Sequence, residues 1–334
     1  MRFLAFLSTL AVCFAQTELP APGFHHLHLN STNPEAAIDF YVKQFPSASK
    51  TTFAGSPALK IGKAYVLFNK VASPPLTEPQ TAIWHFGWHV TDARANMARY
   101  KATGVKLLPL ATAPDGGEVF INSDTWPGTD GTLGRTRAQI ADAKAQNIKP
   151  AGGGGFAYLQ GPDNAIVEYQ GNMPVERFNH VHMYQEDPVC AQLWYMKNLG
   201  GKGRNLQQTE ANCKVERGEP SWPALEKEGT IRKPSGGVTF DDVSLMWYVR
   251  QGSQPLAGTR GHLADHVALS VTNLDAWIAK LRSAGIKFLG QMQDLGGGNA
   301  IVIDGLPAAY KLGDTRAVMI EGPSREAIEL VEVK

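Results

Sequence analysis

Residues 26–34 read HLHLNSTNP, and the same phrase returns as HFGWHVTD at 85–92, HVHMYQEDP at 180–188 and HVALSVTN at 266–273. Each copy opens on a histidine, runs as a short strand and reaches Asn or Asp seven places on, at Asn33, Asp92, Asp187 and Asn273. Those side chains suit a helix N-cap, because their oxygens accept the free N–H groups of a first turn. Pro34 and Pro188 follow two of the caps, where a helix needs no N–H. Side chains alternate across a strand, so His26 and His28 share a face, as do His180 and His182. His85, Gly87 and His89 likewise share one, and His25 points the other way.

Working outward, each phrase opens a unit of strand, helix and further short strands. The first unit spans about 24–71; its helix PEAAIDFYVKQF spaces Ala37, Phe40, Tyr41 and Phe45 for one buried face. A proline-rich linker, ASPPLTEPQ, leads to the second unit at Ile83. Its helix stops at Gly104, an insertion covers about 113–150, and FAYLQGPDNAIVEYQG turns as a hairpin at Pro162 to Asn164. The third unit begins at Phe178 and the fourth at His262. YKATGVKLLP of the second echoes LRSAGIKFLG of the fourth, and both end in similar hairpins, so units alternate odd with odd and even with even. The expected architecture is α+β: four βαβββ modules paired into two curved mixed-sheet domains, at 24–172 and 178–334. The glycine runs at Gly152 and Gly296 precede strands rather than helices, which makes them loop glycines and not phosphate cradles.

A chain of 334 residues suits two domains, and 43% hydrophobic content supplies a packed core. The net charge of +1, without a basic stripe, gives no footprint for nucleic acid. Residues 1–15 read as an export signal: Arg2, an apolar run from Phe3 to Phe14, then small Ala15 before Gln16. The run is short for a membrane span, and no later segment is long and apolar enough for one. In an exported chain Cys190 and Cys213 either pair or remain inert thiols; their spacing is not that of a zinc–thiolate site.

Only the even units carry an acid in the late strand, Glu168 in AIVEY and Glu329 in AIELVE. The odd counterparts, AYVLFNKV and SLMWYVRQ, have none. A lone carboxylate in apolar surroundings is costly unless paired or metal-bound. Two imidazoles and one carboxylate hold one face of an octahedral metal and leave positions open, the donor set of non-haem Fe(II) oxygenases. With another metal the open positions serve Lewis-acid chemistry.

These features together resemble the vicinal oxygen chelate superfamily, which includes glyoxalase I, extradiol dioxygenases and bleomycin-resistance proteins. The resemblance rests on the histidine-led strands, the FY…F and WY…LG helices and the GPD…VE late strands, and covers essentially the whole chain after residue 23. It implies paired units around a cavity, with metal ligands His26, His85 and Glu168, then His180, His266 and Glu329. It also implies a divalent metal, Fe(II) first, with Zn, Mn or Ni as alternatives. The substrate implied is a small molecule chelated through adjacent oxygens. Tyr158 stands at an acid/base tyrosine position of the dioxygenases, where the fourth unit has Met319. His28, His89 and His182 are read as supporting or proton-transfer groups, with polar cavity lining as the alternative. The aromatic residues Trp84, Trp88, Trp194, Tyr195, Trp247 and Tyr248 are core by default and pocket lining otherwise. Consecutive units pair, or the first pairs with the fourth; either way each site has two histidines and one glutamate. The leading expectation is an exported metalloenzyme, a ring-cleaving dioxygenase first and a glyoxalase-like lyase or isomerase second. The alternative from another class is a small-molecule-sequestering binding protein. The oligomeric state is left open.

Overall fold

The structure is a computed structural model that describes residues 19–109, 111–112, 118–119, 137–148, 155–171, 173–215, 235–250, 253–294, 300–303 and 309–334. The expected export signal at 1–15, most of the insertion at 113–150, and glycines 152–154 and 296–298 lie outside the described residues. Module one comprises β1 (Gly23–Ser31), α1 (Pro34–Gln44), β2 (Ser49–Phe53), β3 (Ser56–Ile61) and β4 (Ala64–Lys70). Module two comprises β5 (Ile83–His89), α2 (Ala93–Ala102), β6 (Leu107–Leu108), β7 (Ala111–Thr112), β8 (Glu118–Val119), α3 (Arg137–Ala145), β9 (Phe156–Gln160) and β10 (Ile166–Gln170). Module three comprises β11 (Arg177–Gln185), α4 (Pro188–Leu199), β12 (Lys202–Gly203), β13 (Ser235–Phe240) and β14 (Val243–Val249). Module four comprises β15 (Ala264–Val271), α5 (Leu274–Ser283), β16 (Gln291–Asp294), β17 (Ala300–Ile303), β18 (Ala309–Leu312), β19 (Thr315–Glu321) and β20 (Ala327–Glu332).

Three of the four expected caps form. Asn33 accepts from the Ala36 N–H, Asp92 from Arg94 and Ala95, and Asn273 from Ala276. Asp187 departs from the pattern: its carboxylate accepts the backbone N–H of Val215 instead, at 2.8 Å. Pro34, Ala37, Ile38, Tyr41 and Gln44 form the buried stripe of α1, with Phe40 at its margin. Cys190 in α4 is bonded to Cys213, so the same loop is held to the helix twice.

The sheets answer the open question of pairing. One eight-stranded sheet runs β18-β19-β20-β15-β1-β4-β3-β2 and the other β12-β13-β14-β11-β5-β10-β9-β6. Modules one and four therefore share a sheet, and modules two and three share the other. The division at 24–172 and 178–334 is corrected accordingly, since each sheet draws strands from both halves of the chain. The joins are antiparallel, β1 on β15 and β11 on β5, whereas β4, β10, β14 and β20 run parallel to their module's first strand. Parallel neighbours need a crossover, which each module's helix begins.

One apolar core lies between the two sheets. It takes Leu27, Leu29, Val267 and Leu269 from one sheet and Phe86, Trp88, Val181 and Met183 from the other. Alternation along the strands leaves the histidines on the opposite faces. Helix α1 wedges into this core, with the Phe45 that follows it stacked on Trp88 at 4.3 Å between ring centroids. The cores of the two sheets meet at Phe24 and Phe178, 5.7 Å apart. Trp88 and Trp247 are fully buried core residues.

Candidate metal centres

Each antiparallel join carries two β-bulges, and these aim the site residues. In β1 the register steps from Phe24 to His26, so His25 is the extra residue; Asn179 holds the same place in β11. On the partner strands Asp265 and Trp84 are the extra residues. A bulge places two residues opposite one and re-aims a side chain. His25 consequently does not point away, as strict alternation would have it: its Nδ1 lies 2.7 Å from the Nδ1 of His26.

In the sheet of modules one and four, His26 and His266 bring their Nε2 atoms within 3.4 Å. Glu329 Oε2 lies 3.4 Å from the His26 Nε2 and 3.7 Å from the His266 Nε2. His28 pairs with His266 in register, its ring 4.6 Å away. Behind the ligand positions, Asp265 Oδ1 accepts from His266 Nδ1 at 2.6 Å and also lies 2.9 Å from Arg260 Nε. That bond fixes the imidazole tautomer and leaves the Nε2 lone pair facing the cluster. The Tyr310 hydroxyl donates to Glu329 Oε1. His26, His28, His266, Glu329 and Tyr310 border a cavity of about 470 Å³ whose lining also includes Leu67, Met319, Arg260 and Lys311.

In the sheet of modules two and three, Glu168 Oε2 lies 3.1 Å from His85 Nε2 and 3.7 Å from His182 Nδ1. Glu168 Oε1 lies 3.7 Å from His180 Nε2, and His182 Nδ1 is 2.8 Å from His85 Nε2. Gly87 makes room for this convergence. A Cβ there would sit 2.3 Å from His180 Cε1 and 2.6 Å from its Nε2. Trp84, Tyr158 and Tyr248 wall the group, with ring centroids 4.0 and 5.0 Å from His85 and 5.6 Å from His182.

Both donor sets fit a metal ion. Four candidate ligand atoms, from His85, Glu168, His180 and His182, lie within 4.8 Å of one another, as do three from His26, His28 and His266. Both ring nitrogens of His180 are buried without a hydrogen bond, a costly state that a ligand bond would relieve. Burial pushes the pKa of His180 and His28 down to about 4 and holds His26, also beside three imidazoles, well below its ordinary value. These rings are neutral near pH 7, the form that ligates. Burial would lower His266 too, but Asp265 and Glu329 outweigh it and raise its pKa. Burial works to raise Glu329, yet His266 and Tyr310 overcome it and lower its pKa.

The structure brings all six expected ligand residues into two clusters, grouped as His26, His266, Glu329 and as His85, His180, Glu168. His28 and Tyr158 lie at the clusters, one in each; Tyr158 sits opposite Glu168 in register. His89 does not: it lies half-buried at the far end of β5 opposite Arg177, and burial lowers its pKa to about 4. Sequence reasoning missed Tyr310 and Asp265. Met319 does face Glu329, as the sequence implies, but the hydroxyl arrives from the next strand, β18. For Asp265, the signal was an acid immediately before a repeat histidine.

This arrangement of paired βαβββ modules is a glyoxalase-like fold. Glyoxalase I from Zea mays is similar over the whole length, at TM-score 0.54 and 14% identity, covering 93% of this chain and 92% of that one. A variant of the same maize protein gives 0.55, 14%, 93% and 94%. A putative dioxygenase from Bacillus subtilis gives 0.51 and 10% identity over 94% of this chain and 86% of that one. No protein-family model matches the sequence. No curated protein matches it.

Proposed function

We propose that the chain is an exported metal-dependent enzyme acting on a small substrate chelated through adjacent oxygens, with its reaction in the cavity of modules one and four. The observation that carries this is the convergence of His26, His266 and Glu329 on a cavity of about 470 Å³, large enough for a small organic molecule. These three residues would hold the metal, which supplies Lewis acidity and, as Fe(II), a position for O2. Lys311 on the cavity wall offers a positive charge to an anionic substrate end, Arg260 being already paired with Asp265. Leu67 and Met319 exclude water from its carbon face. Tyr310, on Glu329, holds a proton where a substrate hydroxyl would lose or regain one. His28, uncharged at neutral pH, accepts a hydrogen bond and orients that hydroxyl.

Ring-cleaving oxygenation of a catechol-like substrate is the first reading, because two imidazoles and one carboxylate leave room for both substrate and O2. Isomerisation of a 2-oxoaldehyde adduct is the second; the Tyr310–Glu329 pair favours it, since such a pair shuttles a proton without an oxidant. Export is supported by the Cys190–Cys213 disulfide, which suits an oxidising compartment, and by the signal-like residues 1–15. The net charge of +1 does not favour a nucleic-acid partner, and no helix among the described residues is long and apolar enough to cross a membrane.

The test is elemental analysis of the secreted protein, followed by anaerobic Fe(II) reconstitution and a catechol and 2-oxoaldehyde screen. His26→Ala and Glu329→Ala are each expected to lose the metal equivalent of this cavity and turnover together. A metal-free protein, or turnover that survives both substitutions, would overturn the assignment and favour a sequestering protein.

A further inference from the structure

The two clusters come from one duplicated design, so their differences carry information. At the bulge before the even-module histidine, modules one and four have Asp265 and modules two and three have Trp84. Asp265 polarises His266 through a 2.6 Å bond. Trp84 instead covers His85 edge-on, at 4.0 Å between centroids, and stacks on Tyr184 at 5.1 Å. Opposite the odd-module histidine, one sheet has Ala268 and the other Gly87. Only the glycine lets the ring of His180 sink against the strand. The second histidine also differs in role. His182 Nδ1 reaches both Glu168 and His85, so four protein donors share one centre. His28 stays on the wall of the open cavity, and Glu329 turns Oε2 to His26 and His266 while Tyr310 holds Oε1.

In zinc proteins four protein donors closed off from solvent mark a structural site, whereas a catalytic zinc keeps three protein ligands and an open position. The donors of modules two and three have side-chain exposures of 0%, 6%, 1% and 9% for His85, Glu168, His180 and His182, comparable with the 1%, 6% and 4% of His26, His266 and Glu329, so donor number and aromatic cover, not burial, set them apart. Among the described residues, aromatic rings cover them.

We infer that the cluster of His85, Glu168, His180 and His182 is a closed, four-coordinate structural metal site, a borderline cation such as Zn(II) being its fitting occupant. The chain thus divides one ancestral arrangement into a metal that holds the fold and a metal that turns over substrate. The second half of that statement rests on the function proposed above; the first rests on this cluster alone.

The experiment uses the full-length secreted chain, stripped of metal and refilled with Co(II). Tetrahedral Co(II) absorbs visible light far more strongly than the five- or six-coordinate ion, so the spectrum reports coordination directly. The expected result is two equivalents of metal, one removed within minutes by EDTA and one retained until the protein unfolds. The retained equivalent gives the intense tetrahedral spectrum. His182→Asn is expected to abolish that spectrum, to leave one EDTA-labile equivalent, and to lower Tm by several degrees. Should His182→Asn not fold, the wild-type spectrum and the two chelation phases decide the matter. A weak spectrum for both equivalents, or retention of both in His182→Asn, overturns the inference. A single equivalent lost in His26→Ala overturns the structural site and leaves the proposed function standing. A single equivalent lost in His182→Asn instead supports the structural site and sinks the proposed function. A chain that takes no metal at all sinks both.

Discussion

Gly87 shows how much of the site depends on one missing methyl group. It lies between His85 and His89 in the strand and opposite His180 in the sheet. Gly87→Ala would press a Cβ to 2.3 Å from the imidazole and 3.0 Å from the Glu168 carbonyl oxygen, so the buried ring would have to shift. The expected outcome is displacement of His180 from Glu168 and loss of the metal equivalent of modules two and three by elemental analysis. A stability loss of about 1–3 kcal/mol should accompany it in urea unfolding, as for other overpacked interiors. Ala268, at the matching place, shows that the other sheet tolerates the methyl group. At this scale the sequence was legible where chemistry repeats: the four histidines and two glutamates identify themselves by position. It was silent where geometry breaks alternation. His25 was assigned the wrong face because a two-residue period holds only until a bulge interrupts it. Asp265 escaped notice for the same reason, and Tyr310 because its spacing from Glu329 has no counterpart in the even partner.

At the scale of elements, local physics carried most of the reading. Apolar periodicity and Asx caps located the module helices, and three caps bond as the residue types require. The fourth shows the limit of local rules. Asp187 has the right residue type at the right place, yet it bonds Val215, brought to it by a long-range loop. That loop returns to α4 through Cys213, 23 residues from Cys190 in sequence, with Cα atoms 4.9 Å apart. Cross-linking a loop of this length restricts the unfolded chain by about 3 kcal/mol. Cys213 is buried while Cys190 is less so, and both border a groove beside Trp194 on α4. Reduction should therefore release the loop and lower urea-unfolding stability by roughly 2–4 kcal/mol without melting β11. Paired urea titrations with and without dithiothreitol, followed by tryptophan fluorescence, measure it; coincident midpoints would show that the bond adds nothing.

For the whole molecule, the decisive fact is that the chain's halves are not its sheets. Each sheet closes only when module one meets module four, or two meets three, and module-level periodicity is the same under either pairing. The choice rests on contacts 97 to 240 residues apart, such as His85 with His182 and His26 with His266, which no local pattern records. Polar contacts also cross the seam between the two sheets, part-buried on one side and buried on the other. Asp163, in the hairpin of module two, accepts from Ser31 and Thr32 of module one. On the other side, Glu326 of module four accepts from Gln185 and Tyr195 of module three, both at 2.8 Å, and from the Ser324 N–H. Glu326 is fully buried, and burial outweighs these bonds and raises its pKa above the ordinary 4.5. A carboxyl whose folded pKa is raised binds its proton more tightly in the folded state. Its favourable contribution is complete below 4.5 and is lost as pH rises through the folded value. Glu326→Gln keeps the shape and removes the titration. Its stability relative to wild type should therefore increase from pH 4.5 upward and level off once the wild-type carboxyl is fully ionised. Urea midpoints of the two proteins across that window provide the measurement. A difference that stays flat with pH would mean that the seam does not strain this carboxylate, and that the three donors fully offset its burial.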